Sequence, residues 1–208
     1  MITKARHNFI IYPFFQRYIP YRISGSFSKV VITGSAEQKG LPVLLIANHV
    51  SWWDGFWAVN INLRILKKNF HFMMLEEQLR KYWFFSYCGG FPVRKKSRAV
   101  IESLDYAAEL LTKPDNMVLF FPQGKIWSAY LTHIRFEKGI EYILKKTEPG
   151  KIQVIFLVNL TDYLSEPKPS LFQYIEEYDR GDFSCSVIEN AYNDFFTRCI
   201  STQSQMSE

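Results

Sequence analysis

Apolar positions along the chain form two kinds of run. Pro42 to Ala47 (Pro-Val-Leu-Leu-Ile-Ala) is unbroken, lying between Gly40-Leu41 and Asn48-His49. A run apolar at every position predicts a central strand covered on both faces. Phe70–Leu75, Met117–Phe121 and Lys151–Leu160 read the same way, and Phe91–Val93 reads as a shorter strand. Ser26–Ile32 is short and β-branched, closed by Gly34. The second kind of run is periodic. Within Ser97–Leu111, Val100, Ile101, Leu104, Ala107, Ala108 and Leu111 follow the i, i+3, i+4, i+7 series of an amphipathic helix, broken by Lys113-Pro114-Asp115-Asn116. Further helices are expected over Trp52–Leu66, Glu76–Tyr87 (stopped by Gly89-Gly90), Phe136–Lys146 and Glu189–Ile200. Leu171–Glu176 and Phe183–Val187 are weak strand candidates, and Pro13 and Pro20 argue against one long helix near the N-terminus. Strands alternating with helices predict an α/β fold, a single domain with a mixed sheet flanked by helices.

Composition narrows the function classes. With 208 residues, 48% hydrophobic and 17% aromatic, the chain can bury a full core, which excludes intrinsic disorder. No apolar run reaches the ~18–20 residues that span a bilayer. Residues 1–144 hold 19 basic and 10 acidic side chains, whereas 145–208 hold 6 and 10. The basic, aromatic front points to an anionic partner: nucleic acid, a phosphorylated cofactor or a membrane surface. No RNA- or DNA-binding motif accompanies it. Cys88, Cys185 and Cys199 are too scattered for a disulfide framework, and none has metal-ligand spacing, so they read as small buried hydrophobes in a reducing compartment. Pro13, Gln16, Arg17 and Arg22 interrupt the only early apolar run, so no export signal is read and a cytoplasmic protein is expected.

In open α/β sheets, chemistry collects on loops leaving the carboxyl ends of strands. Three such loops carry reactive side chains: Asn48-His49-Val50-Ser51-Trp52-Trp53-Asp54, Arg94-Lys95-Lys96 and Pro122-Gln123-Gly124-Lys125. His49 and Asp54 have the makings of a general base and its orienter, because a carboxylate on one ring nitrogen fixes the tautomer and frees the other nitrogen for a substrate proton. On a straight helix residues five apart point about 140° away from each other. The pair therefore works only if His49 lies in a strand-to-helix turn and Asp54 folds back from the first helical turn.

Asn48-His49-x4-Asp54 after a buried strand resembles motif I of the PlsC-like H-x4-D glycerophospholipid acyltransferases. Gly89-Gly90-Phe91-Pro92-Val93-Arg94 resembles motif II, and Phe120-Phe121-Pro122-Gln123-Gly124 resembles motif III, usually F-P-E-G-T-R-S. Phe136-Glu137-Lys138-Gly139 is similar to the F-K-K-G segment that follows, and Val154–Val158 to the strand of motif IV. The resemblance covers about residues 40–160. It implies transfer of a fatty acyl group from acyl-CoA or acyl-carrier protein to a hydroxyl of a lysophospholipid or glycerolipid-like acceptor, with His49 as base, Asp54 as orienter, and neither metal nor cofactor. It places Arg94, Gln123, Gly124, Lys125, Asn48, Lys138 and Gly139 among the substrate-binding positions, Arg94 on an acceptor phosphate.

Motif III departs from the family pattern. Gln123 stands for Glu, and Lys125-Ile126-Trp127 for Thr-Arg-Ser, which removes a presumed phosphate ligand. A non-phosphate acceptor (an amino-acid lipid or aryl polyene pigment precursor) and an inactive lipid- or CoA-binding relative are the alternatives this opens. Cationic and aromatic residues interleave over Lys4–Tyr21, the composition of a segment lying among lipid headgroups. The expected organisation is an N-terminal membrane-interface segment over 1–25 and an acyltransferase α/β domain over 26–208, peripheral on the cytoplasmic face of the membrane. Trp52, Trp53, Phe56 and Trp57 are candidates for lining an acyl tunnel.

Overall fold

The structure, a computed structural model, describes residues 2–94 and 99–207. Its strands are β1 (Val30–Gly34), β2 (Val43–Ala47), β3 (Asn69–Leu75), β4 (Gly90–Val93), β5 (Asn116–Phe120), β6 (Gln153–Asp162) and β7 (Ser170–Tyr178). They form one mixed sheet in the order β1-β7-β6-β2-β5-β3-β4. From β6 to β4 all neighbours are parallel; β7 runs antiparallel to β6 and pairs in parallel with β1. The helices are α1 (Ile11–Ser26), α2 (Asp54–Ile61), α3 (Glu76–Lys81), α4 (Ala99–Leu110), α5 (Lys138–Lys146) and α6 (Cys185–Ser204). This is the α/β architecture that the alternating pattern predicts.

β2 sits at the centre of the sheet with every residue buried, as the unbroken apolar run requires. Its side chains alternate between two cores. Val43, Leu45 and Ala47 pack with Met117, Leu119, Ile155 and Leu157 against Ala58 and Ile61 of α2. Leu44 and Ile46 join Val118, Phe120, Val154 and Phe156 under α4, α5 and α6. Both faces of the central strands are thus covered, and their carboxyl ends open onto a single edge.

Several expected elements shift, each for a packing reason. α1 runs unbroken through Pro20, where two prolines were expected to break it. Pro13 falls in the first turn, where its missing N–H has no intrahelical partner to lose. Across Pro20 the helix is held by Ile19 and Ile23, buried with Phe27, Trp57 and Leu171, and tertiary packing of this kind overrides propensity. The helix takes Ser26, so the first strand is Val30–Gly34 rather than Ser26–Ile32. Phe183–Val187 is not a strand: Asp182 Oδ1 accepts the Ser184 N–H at 2.8 Å, and α6 begins at Cys185. The expected helix over Glu76–Tyr87 divides into α3 and a 3-10 turn over Trp83–Tyr87, where the rings of Phe84 and Phe85 lie against Phe15. The expected helix over Trp52–Leu66 starts at Asp54 and ends in a π-helical turn, Asn62–Leu66. There the Asn62 amide bonds both main-chain groups of Lys68, replacing bonds the helix gives up. Cys88 and Cys199 are buried, and burial pushes both thiols up to about 12.

The N-terminal stretch before α1 crosses the β3–β4 edge. Arg6 N donates to Ser86 O at 3.0 Å, Gly89 N donates to Arg6 O at 3.0 Å, and His7 Nε2 donates to Phe70 O at 2.9 Å. The His7 ring lies 4.8 Å from that of His71 on β3. His71 is 5% exposed, and burial, reinforced by the nearby His7, lowers its pKa to about 4. The folded state therefore resists protonating a group that the unfolded chain protonates near 6.5. Stability should fall as pH drops from 6.5 to about 4, by roughly 3 kcal/mol from this residue. Urea titrations across that range should show a shallower acid slope in His71→Gln than in the wild type; parallel slopes would refute the assignment.

Candidate active site

The chain leaves β2 at Ala47 and reverses through Asn48–Trp53 before α2 starts at Asp54. Asp54 N donates to Ser51 O at 3.3 Å, and Trp53 N donates to Ser51 Oγ at 3.2 Å, closing the turn. It folds Asp54 back so that Oδ2 lies 2.7 Å from His49 Nδ1. The same oxygen accepts the Val50 N–H at 2.7 Å and the Ser51 N–H at 2.8 Å. An oxygen already receiving two backbone hydrogens is fixed as an acceptor, so the third partner donates as well. His49 therefore carries a hydrogen on Nδ1, and in the neutral ring it is Nε2 that holds the lone pair. Asp54 is wholly buried while the His49 side chain is 22% exposed, so the ring bridges the interior and the surface. Asp54 also occupies the first turn of α2, where the helix dipole favours a negative charge.

The loop after β5 grips His49 from the other side. The Phe121 ring stacks on the imidazole at 4.1 Å between centroids and 10° between planes. Gln123, buried, turns its whole amide to the His49 main chain: Oε1 accepts His49 N–H at 2.5 Å, and Nε2 donates to His49 O at 3.5 Å. Trp127 N donates to the same carbonyl at 3.0 Å. The pairing needs an acceptor and a donor on one side chain. A glutamate here would set its second oxygen against the His49 carbonyl, which is a physical reason for glutamine at this position. Gly124, at φ 65°, makes the tight turn that lets Gly124 N reach Phe121 O at 3.1 Å, and a β-carbon there would press on Glu137 Cγ at 3.3 Å. Lys125 Nζ lies 4.1 Å from the centre of the Trp127 ring.

Asn48 is buried and makes a reciprocal pair with Asn159 of β6: Nδ2 donates to Asn159 O at 2.9 Å, and Oδ1 accepts Asn159 N–H at 2.8 Å. It continues the β2–β6 ladder one residue past Ala47, holding the start of the His49 turn in place. The acidic C-terminal part steadies the segment beyond the motif III loop. Asn193 of α6 accepts Ile134 N–H at 2.7 Å and donates to Ile134 O at 2.8 Å, while Glu189 accepts Phe136 N–H at 3.0 Å. Gly139 lies in the first turn of α5, and a β-carbon on it would approach Phe120 Cζ at 3.3 Å, so this glycine serves the close seating of α5 on the sheet.

Not every expected site residue gathers at His49. Arg94 follows β4, three strands from β2 in the sheet, roughly 14 Å at ordinary strand spacing. Its guanidinium pairs with Glu76, Nη2 to Oε1 at 2.7 Å and Nε to Oε2. Lys138 is the first residue of α5 and is exposed. Lys95, Lys96 and Arg98 of the same basic cluster lie outside the described residues. The sequence reading gives no site role to Phe121, Glu76 or the Val50 and Ser51 N–H groups. Only Phe121 left a sequence signal, the doubled aromatic before Pro122. Among the described residues no group of three or more His, Cys, Asp or Glu is placed to hold a metal.

The family model described as Acyltransferase matches residues 29–158, more than half of the chain. The chain belongs to the acyltransferase family. The match takes in the His49 turn, the Gln123 loop and every strand from β1 to β5, together with the buried start of β6. No curated protein matches the chain. In this acyltransferase Asp54 is the most demanding group of the site. Burial, the largest influence, pushes its carboxyl above the usual value of 3.8, while His49 and the Ser51 and Val50 N–H groups pull it back. The folded state thus binds this proton more tightly than the unfolded chain. Stability from Asp54 falls as pH rises through the window above 3.8. Asp54→Asn should therefore melt at the same or a higher temperature than the wild type at pH 7, with any advantage shrinking toward pH 4. Melting well below the wild type at pH 7 would contradict this balance.

Proposed function

We propose that this acyltransferase moves a fatty acyl group from acyl-CoA or acyl-carrier protein to a hydroxyl of an amphiphilic, glycerolipid-like acceptor, with His49 as general base. The observation that carries the reading is the Asp54 oxygen, bound to two backbone N–H groups and to His49 Nδ1. In the neutral ring Nε2 is then the basic atom that faces outward. It takes the acceptor's hydroxyl proton as the oxygen attacks the thioester carbonyl. The tetrahedral intermediate collapses by breaking the C–S bond, and the proton on Nε2 passes to the departing thiolate, so no acyl-enzyme forms. Imidazolium formed in the first step sits beside an ionised carboxylate, which lowers the barrier to its formation.

Thiol release from acyl-CoA, followed with a panel of hydroxyl acceptors, tests the assignment. His49→Ala should lower turnover by about 10²–10⁴-fold with the circular dichroism spectrum unchanged. Equal turnover in the two proteins would remove His49 as the base and favour a lipid- or CoA-binding role.

A lipid surface as the site of action is supported by the exposed face of α1 and its neighbours. Phe9, Ile10, Phe14, Tyr21, Trp52 and Trp83 are exposed large hydrophobics, with Arg17 and Arg22 exposed among them. Ring contacts run from Phe14 to Phe15 to Phe84 to Trp83, joining α1 to the 3-10 turn. Among the described residues no helix is long and apolar enough to cross a membrane; aromatic side chains with nearby arginines suit the headgroup region instead. Co-sedimentation with vesicles containing anionic phospholipid should weaken several-fold in the double variant Phe9→Ser/Phe14→Ser and fall with added salt. Binding that ignores both changes would refute an interfacial α1.

A further inference from the structure

Two features bear on what the acceptor carries at the end away from its reacting hydroxyl. The first is Glu76, at the carboxyl end of β3, beside Arg94 at the carboxyl end of the parallel neighbour β4. Glu76 fills one edge of the Arg94 fork with both oxygens, and its Oε1 also accepts from Arg80 Nη2 at 3.1 Å. This is the bidentate, planar geometry with which a guanidinium takes a phosphate. The Glu76 side chain is 24% exposed, against 58% for Arg94, so the carboxylate is the more deeply seated partner. The second feature is Ile126, 52% exposed, where the motif III pattern has arginine. The neighbouring cation, Lys125, is engaged over the Trp127 ring.

We propose that Glu76 is a specificity-determining residue which occupies the anion-binding edge of Arg94, so that the acceptor is a hydroxyl-bearing amphiphile without a phosphate monoester. The proposal rests on the acyl-transfer reading above. A phosphate dianion reaching Arg94 would have to displace a bidentate carboxylate and then lie beside its charge, and both effects oppose it. An uncharged head group meets neither penalty. Ile126 brings no positive charge from the motif III loop, and Arg80 is itself bound to the Glu76 carboxylate.

The test compares Glu76→Gln, and Glu76→Ala as a second variant, with the wild type on two acceptors of one acyl length, a monoacylglycerol and a lysophosphatidic acid. The wild type should prefer the monoacylglycerol. Both variants should shift the kcat/KM ratio toward the phosphate acceptor by about tenfold, mainly through its KM, and adding Arg94→Ala should cancel the shift. A ratio unchanged by either substitution, or a wild-type preference for lysophosphatidic acid, would overturn the proposal. A binding arm separates this from failure of the acyl-transfer reading. The glycerol 3-phosphate concentration needed to raise the melting temperature should fall about tenfold in Glu76→Gln, whether or not either acceptor is acylated. Equal concentrations in Glu76→Gln and the wild type would count against Glu76 as the occupant of the anion seat.

Discussion

One buried carboxylate oxygen organises the site. Asp54 Oδ2 receives hydrogens from Val50, Ser51 and His49, which lie three to five residues before it in the chain. A charge out of contact with water is tolerable only with such donors around it. Those donors exist only if the chain turns sharply between β2 and α2. The turn, the start of the helix and the orientation of the imidazole are thus consequences of a single requirement. The surrounding structure meets it from several directions. Asn48 locks the entry to β6, Phe121 backs the ring, and Gln123 with Trp127 fixes the His49 main chain.

The division of labour follows the sheet. Strands β6, β2, β5 and β3 lie in parallel with their interiors buried on both faces, forming a rigid platform. The His49 turn, the Gln123 loop and the Glu76–Arg94 pair hang from its carboxyl edge. The His49 turn and Gln123 loop leave adjacent strands and interlock. Glu76 and Arg94 leave the next two and pair with each other. Under the proposed reading, reacting chemistry and head-group selection lie on separate strand pairs of one edge. The helices on the far side, α6 above all, brace the segment beyond the motif III loop through Asn193 and Glu189.

Much of this was legible in the residues. β2 reads directly as a doubly covered strand, because burial on both faces leaves no polar position to confuse its period. The His49–Asp54 spacing dictates a turn that only a strand-to-helix junction supplies. Tertiary packing hides the rest. Pro20 signals a helix break locally, and nothing in the local sequence shows that Ile19 and Ile23 will be clamped under Phe27 and Trp57. Phe183–Val187 alternates like a strand, but the apolar stripe of α6 through Ile188, Ala191, Tyr192 and Phe195 governs the outcome. At Gln123 a motif names the position and not the direction of the side chain, so the sequence reading assigns it to substrate whereas its amide bonds the His49 backbone. Arg94 is similar: its partner Glu76 is 18 residues away, and a pairing between strand ends leaves no periodic trace.

Nitrogen-15 spectroscopy of the His49 imidazole, with His49→Ala to assign the resonances, addresses the central claim most directly. Near neutral pH the neutral ring should carry its hydrogen on Nδ1 in the wild type, with Nε2 unprotonated, and Asp54→Asn should weaken that tautomer preference. A wild-type His49 with its hydrogen on Nε2 would contradict the general-base arrangement.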